Sequence, residues 1–248
     1  MRQILMASLV AVTLGSARPA VAQTRAWPER IWFSVSGGVQ PTASSFSDGF
    51  DVPLYQETEK VSIDYPGKGG ALVAASGGYR VWRQLAIGVG LTRSSRRAQA
   101  AVDARLPHPF FDNQIRDVRG TTPATRGEVG AHLLVGWMLP LTDRFRVLIT
   151  AGPSVLSVSQ TLVTGVEFAE VYPYDTAAFT RATTKNATVT AAGFNAGADL
   201  FWMFSRRVGA GGLVQITRAR AKEPAGTGRT VSVDAGGAQV GAGLRLVF

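Results

Sequence analysis

The last eleven residues of the chain, 238–248 (AQVGAGLRLVF), alternate strictly in polarity. Counting back from the C-terminal aromatic residue, every second position is apolar: Phe248, Leu246, Leu244, Ala242, Val240 and Ala238. The positions between them are mostly small or polar and include Arg245. A period of two over about ten residues predicts a β-strand with one apolar face, and such a strand is long enough to cross a bilayer when tilted.

The amino terminus predicts export. Residues 1–22 combine a basic start at Arg2, an apolar run over 4–15 and the small-x-small sequence Ala20-Val21-Ala22, which is typical of a cleaved secretory signal peptide. The mature domain is then 23–248. The apolar run is shorter than the roughly twenty residues that a spanning helix needs. We therefore expect any membrane insertion of the mature domain to use strands.

Apolar blocks recur along the mature chain and pair across very short links. The predicted strands are 31–40, 69–82, 85–94, 127–139, 145–160, 194–204, 208–218 and 238–248. Links of hairpin length join 82 to 85, 139 to 145 and 204 to 208. Most blocks alternate as the terminal strand does, with large apolar residues on one face and Gly, Ala, Ser or Thr on the other. The count predicts an eight-stranded antiparallel barrel.

The other connections are long. Residues 41–68, 95–126 and 161–195 are rich in Pro, Asp, Thr, Arg and aromatic residues, and 221–229 is shorter. Short turns at one end and long loops at the other are typical of an up-and-down transmembrane β-barrel, with turns in the periplasm and loops outside the cell. Aromatic residues near the turns fit a membrane interface: Tyr79, Trp137, Phe145, Trp202, Phe204 and Phe248. A soluble barrel is the alternative, but its exterior would need more Lys and Glu.

Composition narrows the function classes. The formal net charge is +9, or +7 after residues 1–22 with Arg2 and Arg18 are removed. The chain has no basic helix, zinc motif or other nucleic-acid signature, so we predict no nucleic-acid partner and expect the charge to meet anionic lipid. There is no cysteine and only His108 and His132, so we predict no metal site and no cofactor.

The less apolar face of the strands places six ionisable residues in the predicted lumen: Arg80, Glu128, His132, Arg146, Asp199 and Arg245. Buried charges need partners. We expect an internal ionic network, with Glu128 or Asp199 as the partner of Arg245. It either fills a closed lumen or acts as a gate that opens a thin pore, because an eight-stranded interior is just wide enough for side chains to fill.

Two of the long connections carry candidate binding residues. Arginines recur in 95–126, at 96, 97, 105, 116, 119 and 126, and an arginine near the outer rim can pair with lipopolysaccharide phosphates. Aromatic residues in the same two connections are candidates for contact with a protein or a host surface: Phe110, Phe111, Phe168, Tyr172, Tyr174 and Phe179. The extracellular ligand itself is not indicated.

The signal, the rhythm of hairpins and long connections, and the terminal aromatic strand together resemble the small bacterial outer-membrane β-barrel family typified by the barrel domain of outer-membrane protein A. The resemblance implies an outer-membrane location among lipid and lipopolysaccharide. It also implies that the barrel-assembly machinery reads an insertion signal formed by Val240, Ala242, Leu244, Leu246 and Phe248.

Three functions follow from this interpretation. The first is a non-enzymatic barrel with a structural or surface-interaction role. The second is a small pore for ions or small solutes, and the third is a lipid-modifying enzyme. No catalytic residue is predicted, because nothing in the sequence spacing brings a nucleophile to a base.

Overall fold

The computed structural model describes residues 29–41, 45–225 and 229–248, without the side chains of 221–233. The expected signal peptide, 1–22, lies outside the described residues. The strands of the described part are β1 (Ile31–Gln40), β2 (Phe46–Leu54), β3 (Glu57–Tyr65), β4 (Gly70–Trp82), β5 (Leu85–Pro107), β6 (Ile115–Pro140), β7 (Phe145–Glu170), β8 (Ala177–Met203), β9 (Val208–Ala225) and β10 (Arg229–Val247). Within this part no helix is long and apolar enough to span a bilayer.

Eight strands close into a ring in the order β5, β4, β1, β10, β9, β8, β7, β6 and back to β5, and every neighbouring pair is antiparallel. The first and last strands meet at the chain terminus, where Ile31 and Phe248 exchange two backbone hydrogen bonds of 2.9 Å. The predicted eight-stranded antiparallel up-and-down barrel is confirmed. Strands β2 and β3 form a hairpin outside the ring.

The barrel is apolar outside and polar inside. Its outer wall exposes branched apolar side chains: Val35, Val73, Val89, Leu91, Leu133, Val135, Val155 and Val214. Buried polar residues line the interior: Ser34, Ser36, Thr92, Ser94, Ser154, Gln215, Thr217 and Gln239. A water-soluble barrel has the opposite arrangement, so this wall is built to contact lipid. In the terminal strand, Val240, Ala242, Leu244 and Phe248 are exposed on the wall and Leu246 is half-buried.

The two ends of the barrel differ. At the turn end, residues 83–84, 141–144 and 204–207 make the short links that the sequence predicts. Exposed aromatic side chains surround this end: Phe33, Tyr79, Trp82, Trp137, Phe145, Trp202, Phe204 and Phe248. Phe145 and Trp202 stack on neighbouring strands with ring centroids 6.0 Å apart. Aromatic residues at one level of a barrel wall mark a lipid–water interface.

The connections at the opposite end are long, as expected, but they are strands rather than irregular loops, and this corrects the predicted strand ends. Strands β5 to β8 continue beyond the apolar wall, and β3 pairs with β5 over residues 101–105, above the last β4 partner at Ser95. We call this projection, residues 46–65, 96–125 and 158–190, the stalk. The sequence pattern concealed it because Arg97, Asp103 and Arg105 face water, where the barrel strands face lipid.

The stalk has its own apolar core, which we call the distal core. Its buried members are Val61, Ile63, Tyr65, Ala100, Val102, Ala104, Leu106, Val118, Leu162 and Val163. The ring of Tyr65 stacks on Phe46 at 4.4 Å, and its hydroxyl accepts a 2.8 Å hydrogen bond from the backbone N–H of Val163. Burial raises the pKa of Tyr65 to about 12. The hairpin β2–β3 is thereby fixed against β7, which makes the stalk a packed unit.

Candidate functional site

An apolar layer fills the lumen next to the turn end. Its buried members are Trp32, Ala86, Leu134, Met138, Leu148, Phe201, Met203 and Val247. The Trp32 indole lies directly against the strand backbones of Gly78 and Gly88, where a Cβ atom would come within 2.9 and 3.0 Å of the ring. Two glycines paired on the neighbouring strands β4 and β5 therefore leave the space that a tryptophan occupies. The layer closes the barrel cross-section at this level.

An ion pair lies next to the apolar layer. Arg245 Nε donates a 2.7 Å hydrogen bond to Asp199 Oδ1, and Nη2 lies 2.6 Å from the same oxygen. The other carboxylate oxygen of Asp199 accepts a 2.8 Å bond from Ser34 Oγ. The Arg245 guanidinium also lies 5.8 Å from the Phe201 ring centroid. Of the two acids expected for Arg245, Asp199 is the one that contacts it.

The middle of the lumen holds a hydrogen-bonded group around His132. Nε2 lies 2.9 Å from Thr92 Oγ1, Nδ1 lies 2.8 Å from Ser154 Oγ, and Asn195 Nδ2 donates to the same serine at 2.8 Å. Sequence spacing did not predict this serine–histidine contact. Both residues are 3% exposed, so a substrate has no access to them, and the contact satisfies buried polar groups.

A second ion pair closes the lumen towards the stalk. Arg126 Nε donates to Glu128 Oε1 at 2.9 Å, and Arg126 Nη2 donates to the carbonyl of Asp234 at 2.7 Å. The second oxygen of Glu128 accepts a 3.0 Å bond from the backbone N–H of Gly236. The sequence interpretation placed Arg126 in a loop. On β6 the even-numbered residues 132, 130 and 128 face the lumen, so the same alternation continued to residue 126 predicts that Arg126 faces the lumen as well.

The remaining predicted lumen residues lie at the turn end. Arg146 is buried, and its Nη1 lies 2.5 Å from Glu29 Oε2. Arg80 is half-buried and donates a 3.3 Å bond to the carbonyl of Arg83. The six predicted residues thus lie at several levels of the barrel, and each level has its own partners.

Two small cavities lie beside these levels. One of about 20 Å³ lies between Trp32, His132 and Asp199, and one of about 10 Å³ lies beside Gln40 and Glu128. Such volumes hold about one water molecule each. Side chains therefore fill most of the space between Trp32, His132 and Asp199 and beside Glu128.

The far end of the stalk carries a cluster of aromatic side chains, which we call the tip: His108, Phe110, Phe111, Tyr172 and Tyr174. The His108 ring packs on Phe111 at 4.8 Å, Phe110 meets Tyr174 edge-on at 5.6 Å, and Tyr172 meets Tyr174 at 6.0 Å. Phe110, Phe111 and Tyr172 are 69, 58 and 80% exposed. The tip joins the β5–β6 turn to the β7–β8 turn.

Buried polar contacts fix the tip from below. Arg116 binds Glu170 Oε1 at 2.9 Å and donates to the carbonyls of Pro107 at 2.7 Å and Tyr174 at 2.9 Å. The Tyr55 hydroxyl donates to Glu170 Oε2 at 3.2 Å. Burial, followed by the Glu170 carboxylate, raises the pKa of Tyr55. One carboxylate therefore links the turns of three hairpins at the tip.

The charge at the tip is opposite to that of the whole chain. The three turns at this end, 54–57, 107–115 and 170–177, contain the acidic residues Glu57, Asp112, Glu170 and Asp175 and no Lys or Arg. The nearest arginine, Arg116, is buried on Glu170. The tip is an acidic and aromatic surface on a basic protein.

The candidate binding residues of the two long connections separate into groups. Phe110, Phe111, Tyr172 and Tyr174 meet at the tip, whereas Phe168 and Phe179 pack against the distal core. Three of the arginines of 95–126 have carboxylate partners within the stalk and lumen. Arg116 and Arg126 are buried on carboxylates, and Arg119 pairs with Asp103 at 3.0 Å on the side of the stalk.

No protein-family model matches the chain, and no curated protein matches it. Among solved structures, the outer membrane protein OprG from Pseudomonas aeruginosa is 12% identical, with a TM-score of 0.46 over 89% of this chain and 96% of that one. Ail, the attachment invasion locus protein of Yersinia pestis, is 8% identical, with a TM-score of 0.34 over 88% of this chain and 99% of that one.

Proposed function

We propose that this protein is a non-enzymatic barrel of the bacterial outer membrane that presents a protein-binding surface at the end of its stalk. The apolar wall and its aromatic level support insertion in lipid. The signal peptide expected at 1–22 supports export. The short turns are typical of the periplasmic end of such barrels, which supports a stalk on the outside of the cell. The stalk continues for fourteen residues of β5 beyond Arg93, which carries the tip roughly 40 Å from the lipid.

The observation that carries this function is the exposed aromatic tip. Large apolar side chains contact water at a place where Arg116 and Glu170 hold the backbone rigid. A pre-organised surface loses little conformational entropy on binding, and exposed apolar patches of this kind mark interaction sites. A partner bound at the tip would therefore remove these apolar side chains from water at a small cost in conformational entropy.

The chemistry of the tip indicates the kind of partner. Aromatic side chains dominate binding energy at protein interfaces. The surrounding carboxylates, Glu57, Asp112 and Asp175, favour a surface that carries Lys or Arg. We assign the tip to a protein partner whose contact patch combines apolar and basic side chains.

The lumen favours neither alternative function. A pore needs a continuous aqueous path, but the apolar layer and the two ion pairs occupy successive levels of the barrel. An enzyme needs access to its nucleophile, but Ser154 and His132 are enclosed. The filled lumen is what a stable eight-stranded support requires.

A peptide selection on the whole protein tests the proposal. The barrel in lipid nanodiscs is presented with a library of short random peptides displayed on phage. We expect the enriched peptides to contain aromatic residues together with Lys or Arg. Their affinity should fall roughly tenfold or more in the variant Phe110→Ser, Phe111→Ser and Tyr172→Ser, because central aromatic contacts carry most of the binding energy.

The control is Val52→Ser, which removes an exposed apolar side chain from the side of the stalk and should leave affinity unchanged. Peptides without basic residues, or equal binding to the tip variant, would contradict the proposal. If no peptide is enriched and the barrel binds to a glycan array, the partner is a carbohydrate and not a protein.

A further inference from the structure

The outer wall carries a groove of about 720 Å³ near its stalk end. It is lined by 192–194 of β8, 216–220 of β9 and 234–238 of β10. The inner faces of these strands are covered, because Ala191, Ala219 and Ala235 pack with Leu156 and Val158. The groove therefore opens away from the lumen, towards lipid.

The groove forms where the strands carry glycine and alanine, which have little or no side chain. Gly236 and Gly237 have φ angles of 91° and 143°, so β10 departs from regular strand geometry at this point. A Cβ atom at Gly236 would lie 2.2 Å from the carbonyl oxygen of Thr217. On β8, two strands away, the lining includes Ala192 and Gly193. The recess is thus built into the backbone and does not depend on a side-chain rotamer.

The groove has an apolar part and a basic part. Phe194 and Ile216, 58 and 48% exposed, lie on the lipid-facing side, and Arg218 is the next residue on the same face of β9. Arg218 is ten residues from Val208 at the turn end, which corresponds to a height of about 25 Å for a tilted strand. That height matches the apolar band of such barrels, so Arg218 lies at the level of the lipid head groups.

The two arginines of the groove differ in their partners. Arg220 pairs with Asp234 at 3.1 Å, and both side chains are well exposed. No described side chain pairs with Arg218, which is exposed. A guanidinium binds phosphate through two parallel hydrogen bonds. An arginine that has no partner among the described side chains and lies above an apolar recess matches a molecule with a phosphate above an acyl chain.

We propose that the groove binds one molecule of lipid A, the phosphorylated glycolipid anchor of lipopolysaccharide. One of its phosphates contacts Arg218, and one acyl chain lies along Phe194 and Ile216. Lipid A is the occupant because the groove faces the leaflet on the stalk side, which in a bacterial outer membrane consists of lipopolysaccharide. This inference needs the membrane placement of the barrel but not a binding partner for the tip.

Native mass spectrometry of the whole barrel tests the inference. The protein is purified in mild detergent and mixed with bisphosphorylated lipid A, dephosphorylated lipid A or phosphatidylglycerol. We expect one bisphosphorylated lipid A to remain bound, and Arg218→Ala to weaken its retention roughly fivefold, the effect of one arginine near an anionic membrane surface. Arg218→Lys should restore part of the retention, because lysine keeps the positive charge but cannot donate the two parallel hydrogen bonds of a guanidinium.

Arg93→Ala is the matched control. Arg93 is exposed on β5, eight residues from Leu85 at the turn end, and it pairs between Val73 and Val129, both exposed branched side chains. Equal losses from Arg93→Ala and Arg218→Ala would overturn the site, because a general rim charge would then explain binding. Equal retention of dephosphorylated lipid A or of phosphatidylglycerol would overturn the ligand.

Heat-modifiable migration on gels shows whether Arg218→Ala folds. If it does not fold, a second variant tests the same groove. Ala192→Trp fills the apolar part of the groove with a side chain that suits a lipid-facing wall. Ala131→Trp makes the same change on the exposed face of β6. Lipid A should be lost from the first variant and kept by the second, and retention by both would contradict the proposal.

Discussion

The guanidinium of Arg245 and the carboxylate of Asp199 form an ion pair inside the barrel wall, with both side chains almost fully buried. Neighbouring polar groups bind both members of the pair. Asp199 also binds Ser34, and Arg245 Nη1 donates to the carbonyls of Leu244 at 3.0 Å and Val35 at 3.3 Å. The guanidinium also neighbours Phe201. These contacts join strands β1, β8 and β10 at the place where the ring closes.

The single substitutions Arg245→Met and Asp199→Leu should each destabilise the barrel by about 3–5 kcal/mol, because each leaves one buried charge without its partner. The double variant should recover most of that loss, since a buried pair replaced by apolar residues is often near neutral. The measurement is urea unfolding in micelles followed by tryptophan fluorescence. Three variants complete the double-mutant cycle.

The exposed pair Arg119 and Asp103 on the stalk is the control. The same cycle there should give a coupling of about 0–1 kcal/mol, the usual value for a solvated pair. A coupling between Arg245 and Asp199 as small as this would contradict the view that the lumen pair is desolvated.

The barrel should not conduct ions. In a planar bilayer we expect no reproducible ohmic step from the wild-type protein, because the apolar layer around Met138 and Phe201 closes the lumen independently of the charged levels. The variant Arg245→Ser with Asp199→Ser should remain closed for the same reason. An ohmic step from the wild type would revive the pore interpretation, and a step only from the double variant would make the ion pair a gate.

Much of the fold could be predicted from alternation alone. The terminal strand assigned Arg245 to the lumen and Leu244 to the lipid, and the same alternation assigned the two faces of most strands of the ring. The alternation pattern did not reveal the stalk. In the barrel strands large apolar residues alternate with small or polar ones, but in the stalk strands apolar residues alternate with charged ones. In β5, Val102 faces the distal core while Asp103 and Arg105 face water, and such a composition is typical of loops as well as of solvated strands.

The contacts of the candidate site could not be predicted. Glu170 binds Tyr55 and Arg116, which are 115 and 54 residues away in the chain. A period-two pattern indicates which face of a strand is buried, but it does not indicate which hairpins contact each other. The groove at Gly236 was hidden for a related reason, because a small residue in a strand predicts a close approach without saying what enters the space.

The stability of the hairpin β2–β3 should depend on pH through Glu59. Its side chain is buried, and no described group binds its Oε1. Burial raises the pKa of Glu59 above its usual 4.5, so the folded hairpin binds this proton more tightly than the unfolded one. Stability should therefore fall as pH rises from about 4.5 through the raised pKa, and then level off.

Hydrogen exchange of the β3 amides, corrected for the intrinsic rate at each pH, measures this effect. Glu59→Gln should remove the added loss of protection at neutral pH and slow exchange there. Asp51→Asn changes an exposed acid on the neighbouring strand and should leave the pH dependence as it is. If the wild type and Glu59→Gln exchange equally at neutral pH, the buried carboxylate has no influence on the hairpin.

Phe248 should matter for assembly more than for the finished barrel. Its backbone closes the ring against Ile31, whereas its side chain is 54% exposed on the wall. Phe248→Ala keeps the backbone bonds, so the free energy of unfolding in micelles should change by about 1 kcal/mol or less. If the side chain is part of the insertion signal that we propose for the terminal strand, the amount of barrel in the outer membrane should nevertheless fall several-fold.

Phe33→Ala separates the two effects. Phe33 lies on the same wall near the turn end, is 46% exposed, and pairs with Leu246 across the seam, but it belongs to the first strand. Refolding yield in micelles and outer-membrane yield in cells are compared for both variants. A loss in cells that is specific to Phe248→Ala supports recognition of the terminal side chain. Equal losses would mean that the aromatic level of the wall is needed as a whole, because each ring then contributes only its affinity for the lipid interface.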